Sequence, residues 1–186
     1  MFFAVVGASG VGKDTVLGGA RDRLAGNNAF AFPQRHITRP ANAGGEDHLA
    51  LSAAEFRQMQ NNGGFCLSWS AHWLHYGLSR DLIADLHNGT HLVCNISRTS
   101  IADANSVFDR LEIIEITADR GTIAERLKSR GRESASDVSA RQARQVADWR
   151  NGHCVHTIHN DGAAQDAITA MTGLLLRLSA QSVQSA

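Results

Sequence analysis

The residues best suited to chemistry lie near the start of the chain, in Gly7-Ala8-Ser9-Gly10-Val11-Gly12-Lys13-Asp14-Thr15. The segment matches GxxxxGK, follows a short apolar run and opens a stretch of helical character. Glycines let a backbone wrap with its amides pointing inward, and a helix N-terminus adds positive potential. A lysine in the place of Lys13 can then reach the β- and γ-phosphates of a nucleotide. A glycine-rich turn that merely joins strand to helix is the competing reading. Strand, loop, lysine and helix in this order favour the nucleotide, and the whole chain holds only two lysines, Lys13 and Lys128. Where a hydroxyl residue normally follows the lysine and binds Mg²⁺, this chain has Asp14. A carboxylate is a hard oxygen ligand, so magnesium is expected at Asp14 with altered geometry; the alternative is that Asp14 only favours the helix start. Thr15 remains available to bond a phosphate.

A second cluster is cationic. Between positions 120 and 150 stand Arg120, Arg126, Lys128, Arg130, Arg132, Arg141, Arg144 and Arg150, against Glu125, Glu133, Asp137 and Asp148. The part from Glu125 to Arg132 reads as a helix ending at Gly131, with Arg126 and Arg130 one turn apart on one face. Such arginines can close over a triphosphate and stabilise charge on a phosphoryl group in transit. A solvated basic helix is the alternative, and the phosphate loop in the same chain tips the balance toward a lid.

These groups need a scaffold, and the chain predicts one. At 186 residues, 43% of them apolar, it has the size of one ordinary domain with a sizeable core. Phe2 to Val6 is all apolar and cut off by Gly7, the pattern of a strand buried on both faces of a parallel sheet. Similar runs recur at 91–96, 111–117 and 155–159, each followed by helical character, and helices are expected over 15–24 and 163–178. In the last of these, Ile168, Met171, Leu174, Leu175 and Leu178 share one face. Both prolines, two Gly-Gly pairs and two of the three tryptophans fall between about 32 and 77, which reads as an insertion. Within it, Ser52 and Glu55 form a possible capping box for a short helix.

With loop, lid and insertion in place, the chain resembles the guanylate-kinase-like branch of the P-loop nucleoside monophosphate kinases over nearly its whole length. The insertion carries Ile37-Thr38-Arg39-Pro40 and then Gly45-Glu46-Asp47-His48, with Phe65 to Ala71 and His75-Tyr76-Gly77 following in order. The resemblance implies a three-layer α/β fold, one domain with its core at 1–31, 78–120 and 150–186. It further implies an acceptor-binding insertion at about 32–77 and a lid at about 121–149. By the same resemblance Arg39 and Tyr76 would hold the acceptor phosphate, and Asn160-Asp161-Gly162 would lie near the adenine of ATP.

The departures are as informative. Guanine is read by carboxylates, because a buried donor left without an acceptor costs about 1–3 kcal/mol. The glutamate expected before Trp69 is Ser68, and the acid expected after Asn95-Ile96 is Ser97. Asn42 replaces a second arginine, His48 a tyrosine, and Leu78 a hydroxyl residue. New cations appear: Arg35 in the acceptor segment and Arg98 after Ser97. Added guanidinium groups suit an acceptor with a second phosphate better than a purine. The set GKDT, RxxTRP, GGEDH, LSW and YG is similar to the ribose 1,5-bisphosphate phosphokinases, which use ATP to make 5-phosphoribosyl 1-diphosphate in phosphonate breakdown. That resemblance implies Lys13, Arg126, Arg130 and Arg132 as catalytic groups. Loop residues 7–15 and Asn160 would bind ATP, Asp14 would take Mg²⁺, and Arg35, Arg39, His48, Tyr76 and Arg98 would hold the sugar phosphate. The other readings are a nucleoside monophosphate kinase with an unusual base site and a non-catalytic binding module of the same fold.

Composition limits partners and compartment. Basic and acidic residues both number 18, so no global field draws nucleic acid. Cys66, Cys94 and Cys154 are odd in number and lack CxxC spacing, which suggests neither a disulfide framework nor a thiolate zinc site and points to a reducing cytoplasm. No apolar stretch approaches the length of a membrane span, and the N-terminus has no basic start. His153, His156 and His159 are expected to alternate faces on a strand, so a shared metal is not expected. His72 and His75 flank Trp73 and carry no assigned role. A homodimer is compatible with the sequence.

Overall fold

In the computed structural model, residues 1–43, 47–71, 73–129, 149–150 and 152–183 are described. The core is a five-stranded sheet of β1 (Phe2–Val6), β2 (Phe30–Ala31), β7 (His91–Asn95), β8 (Leu111–Thr117) and β9 (Val155–His159), in the order β2-β7-β1-β8-β9. Every pairing in it is parallel. All five residues of β1 are fully buried, as an unbroken apolar run in the middle of a covered parallel sheet must be.

Side chains of β1 alternate between two apolar layers. Phe3 and Val5 pack with Val16 and Ala20 of α1 (Lys13–Arg23) and with Met171 and Leu175 of α6 (Ala164–Val183). Phe2, Ala4 and Val6 face the opposite layer, which holds Leu67, Leu78 and, from α4 (Ile101–Val107), Ile101 and Ala104. Phe2 stacks on Phe108 with ring centroids 4.0 Å apart and planes 7° from parallel. This is a three-layer α/β fold, as expected. Helix α6 buries Ile168, Met171, Leu174, Leu175 and Leu178 on one face, and runs beyond the expected end at 178.

A second sheet, in the order β4-β3-β6-β5, is built from β3 (Arg35–Ile37), β4 (His48–Ala50), β5 (Phe65–Ala71) and β6 (Leu74–Ser79). β3 and β4 run parallel, while β6 is antiparallel to both β3 and β5. Helix α2 (Ala53–Asn61) starts with a complete capping box: the Glu55 amide donates to Ser52 Oγ at 3.2 Å, and the Ser52 amide donates to Glu55 Oε2 at 2.7 Å. Helix α3 (Leu82–His87) returns the chain to the core sheet, and α5 (Arg120–Ser129) follows β8. Arg130 and Arg132 of the expected lid lie outside the described residues.

Candidate active site

The loop between β1 and α1 owes its shape to glycines with positive φ, Gly7, Gly10 and Gly12. Gly7 has φ 152°, and a Cβ there would collide with the Ile116 carbonyl oxygen. Gly12 caps α1 in the left-handed region at φ 90°, and its carbonyl accepts from the Val16 amide at 3.0 Å. A chiral residue at either place would be strained. The helix therefore begins at Lys13, two residues before the expected start, because the turn that precedes it is made by the loop itself.

Lys13 curls back over this loop. Its Nζ donates to the carbonyls of Gly7 and Ala8, each at 2.9 Å. The ammonium is thus held at the loop, where an anion cradled by the surrounding amides would meet it. Gly10, also with positive φ at 84°, completes the turn with Ala8, Ser9 and Val11. Thr15 and Asp14 are exposed in the first turn of α1. Asp14 Oδ1 accepts from Asn95 Nδ2 at 2.9 Å, which ties the start of α1 to the end of β7.

Asn160, at the end of β9, is only 3% exposed, and its side-chain amide faces the loop. Its Nδ2 donates to the Val11 carbonyl at 2.7 Å. Its own carbonyl accepts from Arg126 Nη1 at 2.8 Å. Arg126, on α5, is thereby held beside the loop. Asp161 Oδ1 accepts from the Asp119 amide and pins the β8–α5 turn to the end of β9. Arg150 belongs elsewhere in the basic segment: it pairs with buried Glu115 of β8 and lies over the Trp149 ring at 5.3 Å.

Two of the acceptor-side residues, Arg35 and Arg39, line separate cavities. One, of about 300 Å³, lies between α1 and the strands beyond; it is lined by Asp14, Arg21, Gln34, Arg35, Asp47 and Asn95 among others. Arg35 is its buried cation, 9% exposed, donating from Nη1 to the Asn95 carbonyl at 3.1 Å. The guanidinium also sits 5.4 Å over the Tyr76 ring, which stacks on Trp69 at 5.4 Å and 4°. Burial presses the Arg35 pKa below its ordinary value, opposed by the neighbouring Cys94, Asp14 and Tyr76. Arg39 lines the other cavity, of about 500 Å³, with Thr38, Trp73 and His75. Its Nη2 donates to the Ala43 carbonyl at 3.1 Å, and its carbonyl meets His48 Nε2 at 3.1 Å. Arg98 lies in a short 3-10 turn after β7, and among the described residues no hydrogen bond or ion pair joins it to this group.

The positions that would read guanine hold hydroxyls engaged locally. Ser68 accepts from Gln60 Nε2 at 3.1 Å, and Ser97 caps the 3-10 turn, with its Oγ 2.7 Å from Thr99 Oγ1. Asn95, Gln34 and Arg21 carry no role in the sequence reading, and Asp47 enters it only as part of the GGEDH motif. They become site residues only because the end of β7, α1 and the 32–35 segment converge. The signals in the sequence were the GGEDH motif around Asp47 and the pair Asn95-Ile96 at the strand end.

For a divalent cation the chain offers Asp14 as an exposed hard-oxygen donor beside the loop. Among the described residues no group of three or more His, Cys, Asp or Glu side chains could cage a metal. That donor set fits magnesium, which commonly takes one or two protein carboxylates and finds its other ligands in substrate phosphates and water.

A phosphate-cradling loop between the central strand and first helix of a parallel sheet, with an inserted second sheet facing it, defines a P-loop kinase built on the guanylate kinase plan. Guanylate kinase from Anaplasma phagocytophilum superposes with a TM-score of 0.66 over 96% of this chain and 86% of its own, at 15% identity. At that identity the likeness concerns the fold. No protein-family model matches the chain. Sequence relatives are more specific: ribose 1,5-bisphosphate phosphokinase PhnN of Agrobacterium fabrum is 39% identical over 88% of this chain and 89% of its own. The protein of the same name from Brucella melitensis biotype 2 is 40% identical over 87% and 84%. The chain belongs to the ribose 1,5-bisphosphate phosphokinase family. It is also 40% identical to the bifunctional ribose 1,5-bisphosphokinase-thymidine phosphorylase of Azorhizobium caulinodans, but spans only 26% of that protein, about a quarter of its length.

Proposed function

We propose that this chain transfers the γ-phosphoryl group of ATP to the 1-phosphate of ribose 1,5-bisphosphate, giving 5-phospho-α-D-ribose 1-diphosphate and ADP. An oxygen of the acceptor's 1-phosphate bonds to the γ-phosphorus as the bond from that phosphorus to the β–γ bridging oxygen breaks. The observation that carries this reading is the buried Arg35 guanidinium beside Asp14 and Asn95, in a chain whose guanine-reading positions are Ser68 and Ser97. A buried guanidinium lining this cavity suits a dianionic ligand, whereas a guanine would leave ring donors unmet.

In this reading the loop amides and Lys13 bind the β- and γ-phosphates, and Arg126, with Arg130 and Arg132 of the lid, neutralises charge that develops on the transferring group. Arg35, Arg39, His48, Tyr76 and Arg98 orient the acceptor, Arg39 from the outer cavity and Arg35 from the inner. Asp14 holds Mg²⁺, which when bound neutralises charge on the nucleotide's phosphates. No general base is needed: a phosphate oxygen is already ionised near neutral pH, so positioning and electrostatics supply the rate. The 32–77 insertion serves as acceptor domain and the 121–149 segment as lid, together excluding water that would otherwise hydrolyse ATP. The setting is cytoplasmic phosphonate breakdown, with a homodimer as the assembly. Among the described residues no helix is long and apolar enough to cross a membrane.

Phosphorus NMR of the product formed from ATP with ribose 1,5-bisphosphate, GMP and AMP in parallel tests the reading. A new diphosphate at the sugar's C1, without comparable turnover of either nucleotide, is expected. Preferential turnover of GMP or AMP would make the chain a nucleoside monophosphate kinase, and no turnover at all would make it a binding module.

A further inference from the structure

A phosphate cradle works only if its peptide planes face the right way. In a planar trans peptide the carbonyl of one residue and the N–H of the next point in opposite directions. At the Val11–Gly12 peptide the carbonyl is turned toward β9, where Asn160 Nδ2 donates to it at 2.7 Å. The N–H of Gly12 therefore points away from Asn160. Glycine at position 12 accepts either sign of φ, so without a partner for the Val11 carbonyl this plane could rotate and present a carbonyl, instead of an N–H, to an incoming anion.

Several features show that Asn160 is committed to this loop. The site at Gly12 is closed on that side: a Cβ there would lie 2.5 Å from Asn160 Nδ2 and 3.9 Å from Arg126 Nη1. The Asn160 amide donates to the Thr117 carbonyl at 2.8 Å, so the residue is anchored to β8. Its carbonyl holds Arg126 at 2.8 Å. Its side-chain Oδ1 is buried and has no hydrogen-bond partner among the described residues. Reversing the side-chain amide would set oxygen against the Val11 oxygen, so the loop bond dictates the orientation and leaves the other end unmet.

We propose that Asn160 is a positioning residue for triphosphate binding: it locks the Val11–Gly12 peptide with the Gly12 N–H facing the phosphate cradle, and holds Arg126 beside that cradle. It acts on the phosphates and is blind to the base. The proposal deepens the kinase reading, and it needs only that the loop bind a triphosphate.

Binding of ATP, GTP and inorganic tripolyphosphate by calorimetry, with ¹⁵N-labelled Gly12 followed by NMR, tests it in the full chain. In Asn160→Asp a carboxylate oxygen faces the Val11 oxygen, and in Asn160→Leu the donor is gone at similar volume. Both variants should bind all three ligands at least tenfold more weakly by a common factor. The shift of the Gly12 amide on adding tripolyphosphate should be lost, and KM for the sugar bisphosphate should stay within twofold. Asn160→Gln, which restores a donor on a longer stem, should recover part of the affinity for all three. Weakening of ATP with GTP and tripolyphosphate spared would make Asn160 a base reader and overturn the proposal. Unchanged binding, or a Gly12 shift like that of the native protein, would also overturn it. If one variant does not fold by circular dichroism, the other and Asn160→Gln carry the same comparison. Failure of the native chain to turn over ribose 1,5-bisphosphate while these binding results hold would refute the proposed substrate and leave the role of Asn160 standing.

Discussion

Replacing Arg35 with methionine should separate affinity from stability. The guanidinium is 9% exposed, donates to the Asn95 carbonyl at 3.1 Å and lies 5.4 Å over Tyr76. Losing the carbonyl bond costs about 1.5–3 kcal/mol and losing the ring contact about 0.5–2 kcal/mol. Removing a desolvated charge, whose depressed pKa records the penalty of burying it, returns several kcal/mol. Methionine keeps the apolar stem, so Arg35→Met should change stability by no more than about 2 kcal/mol, or about 4–8 °C in Tm for a domain of this size. Function should respond differently. One charge-assisted contact to a phosphate is worth about 1.5–3 kcal/mol, which lowers kcat/KM for ribose 1,5-bisphosphate about 10- to 150-fold. KM for ATP should stay within twofold. Arg35→Lys, which keeps the charge and loses the planar fork, should fall between. A coupled assay of ADP release with each substrate varied in turn, beside thermal unfolding, measures both quantities. If Arg35→Met unfolds at much lower temperature while the folded protein keeps its acceptor kcat/KM, Arg35 is a structural cation and the acceptor argument fails.

Other changes should act at single points. Lys13→Ala should reduce phosphoryl transfer by at least about 10³-fold with an unaltered far-ultraviolet spectrum, since the ammonium bonds the Gly7 and Ala8 carbonyls of the loop and fills no core position; retained turnover would remove its assigned role. Ser52→Ala removes one half of the α2 capping box and should lower stability by about 1 kcal/mol, or about 2–4 °C, with both KM values unchanged in the same assay. Burial pushes the Cys94 thiol up to about 11, whereas Cys154 is exposed. Alkylation by iodoacetamide at pH 8, read by peptide mass spectrometry, should therefore label Cys154 well before Cys94, whose thiolate fraction is about 10⁻³ at that pH.

The phosphate loop, the core strands β1, β7, β8 and β9, and α6 are legible along the chain because each depends on near neighbours, whereas the seven-residue β5 and six-residue β6 are not. A five-residue apolar run closed by glycine needs no distant information to read as a buried strand. GxxxxGK specifies its own turn, and a helical stripe of Ile168, Met171, Leu174, Leu175 and Leu178 states which face goes inward. The Ser52–Glu55 cap is equally local, whereas the absence of acids at Ser68 and Ser97 shows only against the guanylate-kinase pattern.

Position in space required the closed structure. Strands of two or three residues such as β2 and β3 have too little periodicity to announce themselves, and form against β7 and against β4 and β6 respectively. Nothing near Asn95 in sequence indicates that it joins Asp14, 81 residues away, or that its carbonyl meets Arg35, 60 residues away. The bond of Asn160 to Val11 across 149 residues appears only when β9 lies beside β8. Residue types and short spacings carry hydrophobic pattern, turn geometry and charge, so they suffice for the class of fold and the kind of ligand. Which polar groups meet is settled by sheet order and packing, where segments far apart in the chain are brought within hydrogen-bond distance.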